Sequence, residues 1–311
     1  METVIRNRHE RLLSLCNTDV VDTENMLCSY KIKLAILGKL QSSIKNYIID
    51  CLSEFFPKRY FMQNGYIEDV VEHHSSSIKE LPNITPNGLV LPKLDVLWSY
   101  NNMLKAVVAL VKSLGLHESC ESANMPINVR LKWGMPPLEI RERPYASVKW
   151  HSDIWAGECA QSVMLHIPLF GDFVNNGINF AETPSEFYPD YTRALTNFDD
   201  GQPAVENRRE YNNLVMEVGK AYLVDSFLLH RTAWGNPSFR GIVSFPLKPH
   251  KKLDSDIYIN DARTDNLVPM KEWVGFGKES VVTTLKPLEK YTGEDIAKSS
   301  YADTYNFMSI K

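Results

Sequence analysis

Apolar residues in the first part of the chain recur at the three- and four-residue steps of amphipathic helices. One such run covers residues 31–56, and Pro57 directly after it cannot continue a helix. A second run, rich in Ala, Val and Leu, covers residues 100–116 and closes near Gly115. No flexible linker follows these runs, so we expect residues 1–125 to be mostly helical and to pack on a later core. A separate amino-terminal domain is the alternative.

After this helical part, the pattern changes to the alternation of apolar and polar residues that is typical of strands. Val129 and Leu131 alternate with Arg130 and Lys132, and similar short segments continue as far as Leu247. A period of two places successive side chains on opposite faces of a sheet. The second part of the chain is therefore expected to be mainly β, with the helices of the first part flanking it.

Two segments within residues 126–311 do not fit this strand pattern. Residues 183–213 are rich in Pro, Asp and Gly, which predicts a long insertion between core strands. After Pro249, Trp273 stands among many charged residues. This composition predicts a carboxy-terminal extension that packs over the outside of the core.

The composition excludes several classes of protein. A chain of 311 residues with 44% hydrophobic content fits one large domain, or one domain with an appendage. The net charge of −4 provides no basic surface for a phosphate backbone, so nucleic acid is not an expected partner. No apolar run approaches the length of a membrane span, and the first eleven residues are too charged for a secretory signal. We therefore expect a cytoplasmic protein without membrane contact.

The cysteines are odd in number and contain no close pair of the kind used for zinc or redox chemistry. They are predicted to be reduced thiols, which suits a reducing compartment. The five positions are Cys16, Cys28, Cys51, Cys120 and Cys159.

Three residues of the second part can form a metal site. His151 and Asp153 are two residues apart, so in an extended strand both side chains point to the same face and can bind one ion. His230 supplies a second imidazole. Two histidines and one carboxylate on one face of Fe(II) leave the other positions open, as in non-haem iron oxygenases.

Arg240 follows the last of these candidate ligands by ten residues. The segment between them contains Gly, Asn and Pro, which turn a chain, and its flanks at 222–229 and 241–247 are predicted strands. A hairpin of this length would return the guanidinium to the metal, where its paired donors suit a carboxylate. The sequence therefore predicts a binding position for a dicarboxylate co-substrate.

The order of these residues, His-x-Asp, a distant His and then an Arg, resembles the iron(II)- and 2-oxoglutarate-dependent dioxygenases. Residues 163–170 and 176–180 are similar to segments of the phytanoyl-CoA hydroxylase-like branch, and 230–240, with Asn236, is similar to its closing motif. The resemblance covers about residues 128–250. It implies a double-stranded β-helix core, of the jelly-roll or cupin-like type, with Fe(II) as cofactor and 2-oxoglutarate and O2 as co-substrates.

A finer resemblance concerns the substrate. Residues 151–158 and 166–172 look like a group of bacterial oxygenases found with sugar and surface-polysaccharide biosynthesis genes. This implies a sugar or a sugar-linked small molecule as substrate. Because Asp153 is retained where related halogenases have a small residue, the resemblance favours hydroxylation or desaturation over halogenation.

The chain departs from the family after the arginine, because no hydroxyl stands two residues beyond Arg240. Another hydroxyl must then supply the second hydrogen bond to the co-substrate, and the candidates are Ser244, Thr232 and Ser162. His166 is a rival metal ligand, a residue that orients the co-substrate, or an ordinary core histidine.

Candidate substrate contacts have equally ordinary structural interpretations. Aromatic rings near the ligands can bind a sugar ring or fill the core, and polar residues can bind hydroxyls or lie on the surface. The aromatic candidates are Trp155 and Trp234, and the polar ones are Glu158, Asn176, Asn179 and Glu182. Arg130 and Lys132 are candidates for binding a phosphate or carboxylate of the substrate, or else lie on the solvated face of a strand.

The leading hypothesis is a 2-oxoglutarate-dependent hydroxylase, and the alternative comes from another class. The same ligands suit a cupin-type sugar isomerase or epimerase, or a non-catalytic carbohydrate-binding protein. Arg240 discriminates between them, because only the oxygenase needs a guanidinium that binds a dicarboxylate beside the metal.

Overall fold

A computed structural model of the protein describes residues 2–16, 20–24, 26–53, 67–81, 83–91, 94–127, 129–183, 192–211, 214–235, 238–253, 267–285 and 305–310. The helices are α1 (Glu2–Leu15), α2 (Leu34–Leu52), α3 (Ile67–His73), α4 (Ser75–Lys79), α5 (Leu97–Ser113), α6 (Leu116–Ser119), α7 (Leu138–Arg141), α8 (Gln202–Val205) and α9 (Met270–Trp273). The strands are β1 (Val20–Glu24), β2 (Leu27–Lys31), β3 (Leu89–Val90), β4 (Cys120–Asn124), β5 (Val129–Trp133), β6 (Val163–Gly171), β7 (Ile178–Ala181), β8 (Lys220–Asp225), β9 (Leu229–Thr232), β10 (Phe239–Pro249), β11 (Leu267–Pro269), β12 (Ser280–Leu285) and β13 (Tyr305–Ser309).

Most strands belong to one large antiparallel sheet that is flanked by helices. Its order is β1-β2-β8-β6-β10-β4-β11, with β5 beside β10 and β3 beside β5. The long strand β10 pairs with β6 along one edge, from Arg240 opposite Gly171 to Leu247 opposite Val163. Along its other edge it pairs with β5 and then with β4. This strand therefore lies in the middle of the sheet, and the prediction of a mainly β second part is confirmed.

The two faces of β10 and β6 have different neighbours. Val243 and Phe245 belong to the larger hydrophobic cluster, which also contains the buried faces of α2 and α5. Ile242 and Met164 belong to a second cluster on the opposite face. The alternation of the strand residues thus separates a face covered by helices from a face that is free to form a site.

Both long helices of the first part are confirmed within a few residues of the predicted ends. They pack side by side and bury Leu40 and Tyr47 of α2 and Val107 of α5 in the larger cluster. The first 125 residues also contribute β1, β2, β3 and β4 to the large sheet, which the sequence analysis did not predict. These strands have five residues or fewer, and β2 shows four buried positions in succession instead of an alternation. The division near residue 125 stays a prediction.

A second, smaller sheet faces the site and consists of β7 and β9. Phe180 pairs with His230, and Ile178 pairs with Thr232. The prediction of one continuous strand over residues 222–229 is wrong, because β8 ends at Asp225 in the large sheet and β9 begins after a turn. The predicted hairpin between His230 and Arg240 is also wrong, because β9 and β10 lie in different sheets. The chain between them crosses from the small sheet to the large one.

The predicted insertion is structured where it is described. Within 192–211, Phe198 begins a 3-10 turn and is buried together with Val205 of α8. Residues 184–191 and 212–213 of the insertion lie outside the described residues. Of the predicted carboxy-terminal extension, β11 joins the edge of the large sheet and Trp273 stacks on Phe245.

No described helix combines the length and the apolar character that crossing a membrane requires.

We predict that Gly171→Ala destabilises the fold next to the site. Gly171 has a φ of +91°, and a Cβ there would collide with the carbonyl oxygen of Phe239 and lie 2.7 Å from the Cα of Arg240. The free energy of unfolding in urea should fall by about 1–3 kcal/mol. The control is Gly38→Ala within α2, where a Cβ meets no atom within 4 Å. That variant should gain about 0.5–1 kcal/mol, and an equal response of both variants would contradict the prediction.

Candidate metal centre and its cavity

The structure brings the three predicted ligands together. His151, Asp153 and His230 each offer one ligand atom, and these atoms all lie within 4.8 Å of one another. Nε2 of His230 is 3.6 Å from Oδ1 of Asp153. Two imidazoles and one carboxylate at this spacing match the donor set that non-haem iron prefers.

Backbone hydrogen bonds set the distance between the two histidines. The amide of His151 donates to the carbonyl of His230 at 2.9 Å, and the amide of His230 donates back at 2.8 Å. The prediction that 151–153 form a strand is wrong beyond this single bridge, because Asp153 begins a 3-10 turn, Asp153–Ala156. Ser152 between them is extended, which still directs Asp153 towards the same site as His151.

Both histidines are held in the tautomer that a metal requires. Nδ1 of His151 lies 2.8 Å from the carbonyl oxygen of Lys149, and Nδ1 of His230 lies 3.0 Å from that of Leu228. A carbonyl oxygen only accepts, so each Nδ1 carries the hydrogen and each Nε2 keeps its lone pair. Hydrogen bonding of the second ring nitrogen to the backbone is a typical feature of metal-binding histidines.

Phe198 of the insertion covers one of these rings. It stacks on His151 with a centroid distance of 4.3 Å and an interplanar angle of 14°. Burial, followed by the charge of His230, lowers the pKa of His151 well below 6.5. The ring is therefore neutral and able to coordinate at neutral pH. Phe198 could not be identified from the sequence, because a single phenylalanine in a turn-rich segment carries no recognisable signal.

The three ligand side chains face a cavity of about 150 Å³ between the two sheets. Residues of the large sheet line one side, and they alternate along β10 as Arg240, Ile242 and Ser244. Thr232 and Ile178 of the small sheet line the other side. The cavity thus joins the candidate metal ligands to the predicted dicarboxylate position.

Arg240 is a buried cation without a carboxylate partner among the described residues. Its exposed fraction is 1%. One Nη2 hydrogen bond goes to the carbonyl of Gly177 at 3.3 Å, whereas Nε and Nη1 have no partner in the described part of the chain. Burial, followed by the charge of Arg130, lowers its pKa to about 9. A buried guanidinium with unused donors is stabilised by an anion that enters the cavity.

The other candidate co-substrate residues differ in their positions. Ser244 and His166 face each other across β10 and β6, and both line the cavity. Neither ring nitrogen of His166 has a hydrogen-bond partner in the residues that the structure describes. Thr232 lines the cavity and donates to Ser147 at 3.2 Å. Ser162 is not among the lining residues, because its buried hydroxyl donates to the carbonyl of Cys159 at 2.6 Å.

Only some of the candidate substrate residues reach the cavity. Glu158 and Arg130 line it. Trp155 does not, because it is fully buried in the adjoining hydrophobic cluster. Asn176 does not either, because its amide donates to the carbonyls of Lys132 and Ser238 at 3.2 and 3.3 Å.

Three further candidates lie away from the lining. They are Trp234, Asn179 and Glu182. Lys132 is not a lining residue either, but its Nζ donates at 3.0 Å to the hydroxyl of Ser147, which lines the cavity.

Several lining residues come from the first part of the chain, where no site residue was predicted. Asn87, Leu89 and Asn124 all line the cavity. Asn87 stands in a Pro-Asn-Gly sequence, which indicates a turn but not a site. Leu89 reaches the cavity because β3 pairs with β5, a long-range contact that the local pattern does not reveal.

Comparisons with known proteins gave structural likenesses only. No family model and no curated protein matches the chain. Among solved structures, a carbocyclase described as non-heme and alpha-ketoglutarate-dependent, SnoK from nogalamycin biosynthesis, gives a TM-score of 0.38 at 7% identity over 75% of this chain and 90% of that one. An N-substituted L-amino acid dioxygenase from Burkholderia ambifaria AMMD gives a TM-score of 0.38 at 10% identity, and the likeness covers 78% of this chain and 87% of that one.

A third likeness, to the epimerase SnoN of the same nogalamycin pathway, is partial. It has a TM-score of 0.29 at 10% identity and covers 47% of this chain and 55% of that one, so the chain spans about half of that epimerase. All three TM-scores lie below 0.5. We therefore infer the function from the geometry of the site.

We predict that the chain binds one divalent metal and that His230→Ala weakens the binding by at least about 100-fold, because a direct ligand is lost. The measurement is calorimetric titration of the metal-free protein with Mn(II). His166→Ala is the matched control, because His166 lines the same cavity but does not belong to the ligand cluster. Equal losses in both variants would contradict the assignment of the ligands.

Proposed function

We propose that this chain is an Fe(II)- and 2-oxoglutarate-dependent oxygenase that hydroxylates a small molecule. One observation carries the proposal. A two-histidine, one-carboxylate cluster and a buried arginine with unused donors face the same cavity. A metal-dependent isomerase or a carbohydrate-binding protein has no use for such an arginine.

The fold we propose for the core is a double-stranded β-helix. A large sheet and a small sheet that enclose the site support this proposal. We assign the chain to the phytanoyl-CoA hydroxylase-like branch on residues 163–170 and 176–180, which form β6 and lead into β7. Asn236 of the closing motif lies outside the described residues.

His151, Asp153 and His230 would hold the iron through two Nε2 lone pairs and one carboxylate. When bound, iron together with 2-oxoglutarate and O2 supplies the oxidising power to break a C–H bond, and the co-substrate leaves as succinate and CO2. Asp153 occupies the position that a halide needs in related halogenases, so its presence supports hydroxylation. The protein orients both imidazoles through the carbonyls of Lys149 and Leu228, which leaves the Nε2 lone pairs available to the metal.

Arg240 would bind the far carboxylate of 2-oxoglutarate. Thr232 is the second donor that we propose, because it pairs with Ile178, the residue after Gly177, whose carbonyl accepts from Arg240. Its hydroxyl would turn from Ser147 to the carboxylate. Ser244 is four residues from Arg240 along β10, so their backbone positions are about 13 Å apart. Both cannot bind one carboxylate, so we place Ser244, with His166, closer to the other end of the co-substrate.

A sugar or a sugar-linked metabolite is the substrate class that we propose. The support is the resemblance of residues 151–158 and 166–172, together with the polar lining residues Glu158 and Asn124. Carboxylate and amide groups suit the hydroxyls of such a molecule. A cytoplasmic location, a role in carbohydrate biosynthesis and the absence of a nucleic-acid partner belong to the same proposal.

The test is an anaerobic titration of the purified protein with Fe(II) and then with 2-oxoglutarate, which follows the visible charge-transfer band of the chelate. The wild-type protein should develop the band. In Arg240→Gln, the Kd for 2-oxoglutarate should rise about 10- to 100-fold, because charge-assisted hydrogen bonds are lost. Arg231→Gln is the matched control, because Arg231 belongs to the same segment but lies 3.8 Å from Glu210.

The same titration separates the alternatives. Metal binding without a band would contradict the oxygenase and favour a cupin-type isomerase, an epimerase or a carbohydrate-binding protein. A band that does not depend on Arg240 would contradict the proposed position of the co-substrate. A band with the expected dependence justifies a screen of sugar-linked compounds for succinate formation and oxygen uptake.

A further inference from the structure

Two arginines of α1 form a buried ion cluster with one aspartate. Nε of Arg8 lies 2.7 Å from Oδ1 of Asp225, and Nη2 of Arg11 lies 3.3 Å from Oδ2. All three side chains are 0% exposed. The helix and Asp225 are more than 200 residues apart in the chain, so this cluster is a long-range contact.

Asp225 begins the turn that carries the chain from the large sheet to the small one. Its Oδ1 accepts from the amide of Phe227 at 2.9 Å, and its carbonyl accepts from the amide of Leu228 at 3.0 Å. Arg8 contacts two further residues of the turn: it donates to the hydroxyl of Ser226 at 3.0 Å and lies 3.7 Å from the ring centroid of Phe227. The cluster therefore fixes the whole turn.

Both segments that carry metal ligands are hydrogen-bonded to this turn. The hydroxyl of Ser152, between His151 and Asp153, donates to the carbonyl of Ser226 at 2.7 Å. Nδ1 of His230 donates to the carbonyl of Leu228 at 3.0 Å. A displacement of the turn would therefore move the candidate ligands relative to one another.

The same arginines also contact the segment that leads from the ligands into β6. Arg8 donates to the carbonyl of Ala160, and Arg11 donates to that of Gln161, both at 2.8 Å. Stability alone does not explain a buried ion cluster, since apolar side chains of similar volume often stabilise a fold equally well. Because these bonds converge on the segments that carry the metal ligands, we infer that the cluster has another role.

We propose that Arg8 and Arg11, acting through Asp225, are positioning residues that set the geometry of the metal centre. This inference rests on the proposed function, because it assumes that His151, Asp153 and His230 bind a metal. The amino-terminal helix is then part of the active-site architecture, although none of its residues lines the cavity.

The test measures the affinity of the metal-free protein for Co(II) alone, together with the visible spectrum, which reports ligand geometry. Arg8→Met should weaken Co(II) binding about 10- to 100-fold and change the spectrum. Ser152→Ala removes one hydroxyl and leaves the ion cluster intact, so it remains informative if Arg8→Met fails to fold. Ser152→Ala should also weaken Co(II) binding.

The matched control is Val107→Ala, which truncates a buried residue of α5 on the other face of the sheet. It should lower the Tm and leave Co(II) affinity within about twofold of the wild type, as expected for a distant, independent site. Wild-type affinity and spectrum in a folded Arg8→Met protein would overturn the inference and leave the metal site standing. If Arg8→Met does not fold, wild-type values in Ser152→Ala would overturn it. No Co(II) binding by the wild-type chain would instead overturn the proposed function, and the inference with it.

Discussion

The two backbone hydrogen bonds between His151 and His230 are the constraint on which the site depends. They join a segment that precedes β6 to a strand of the small sheet and bring the ring centroids to 4.3 Å. Asp153 follows in a turn whose direction Ser152 fixes by its bond to Ser226. Because the contacts are between backbone groups, the spacing of the ligands is set by the fold and not by flexible side chains.

The buried charges show a contrast between two kinds of arginine. Arg8 and Arg11 share the carboxylate of Asp225, as buried cations in proteins usually must. Arg240 is as deeply buried but has no such partner among the described residues. Burial and the charges of Arg130 and Arg240 also lower the pKa of Lys132 well below 10.5. The part of the cavity that Arg240 and Arg130 line therefore favours an anion, and this supports a dicarboxylate co-substrate.

The sequence allowed the chemistry to be predicted better than the connections. The ligands and Arg240 were identifiable because residue type and order carry that information. The path of the chain between the ligands and Arg240 could not be predicted, since it depends on which sheet each strand joins. Asp225 ends β8 and begins a turn, because its side chain accepts from the amide of Phe227. This local hydrogen bond is not evident from the mostly apolar sequence of residues 222–229. Strands shorter than six residues in the first part have no periodicity to recognise.

The metal centre and the co-substrate position can be tested together by anomalous diffraction from crystals grown without oxygen in the presence of Mn(II) and 2-oxoglutarate. We expect one metal peak bonded to Nε2 of His151, Nε2 of His230 and the carboxylate of Asp153. We also expect 2-oxoglutarate on that metal with its far carboxylate on Arg240. A metal at another position, or a dicarboxylate bound away from Arg240, would show that these residues do not form the proposed oxygenase site.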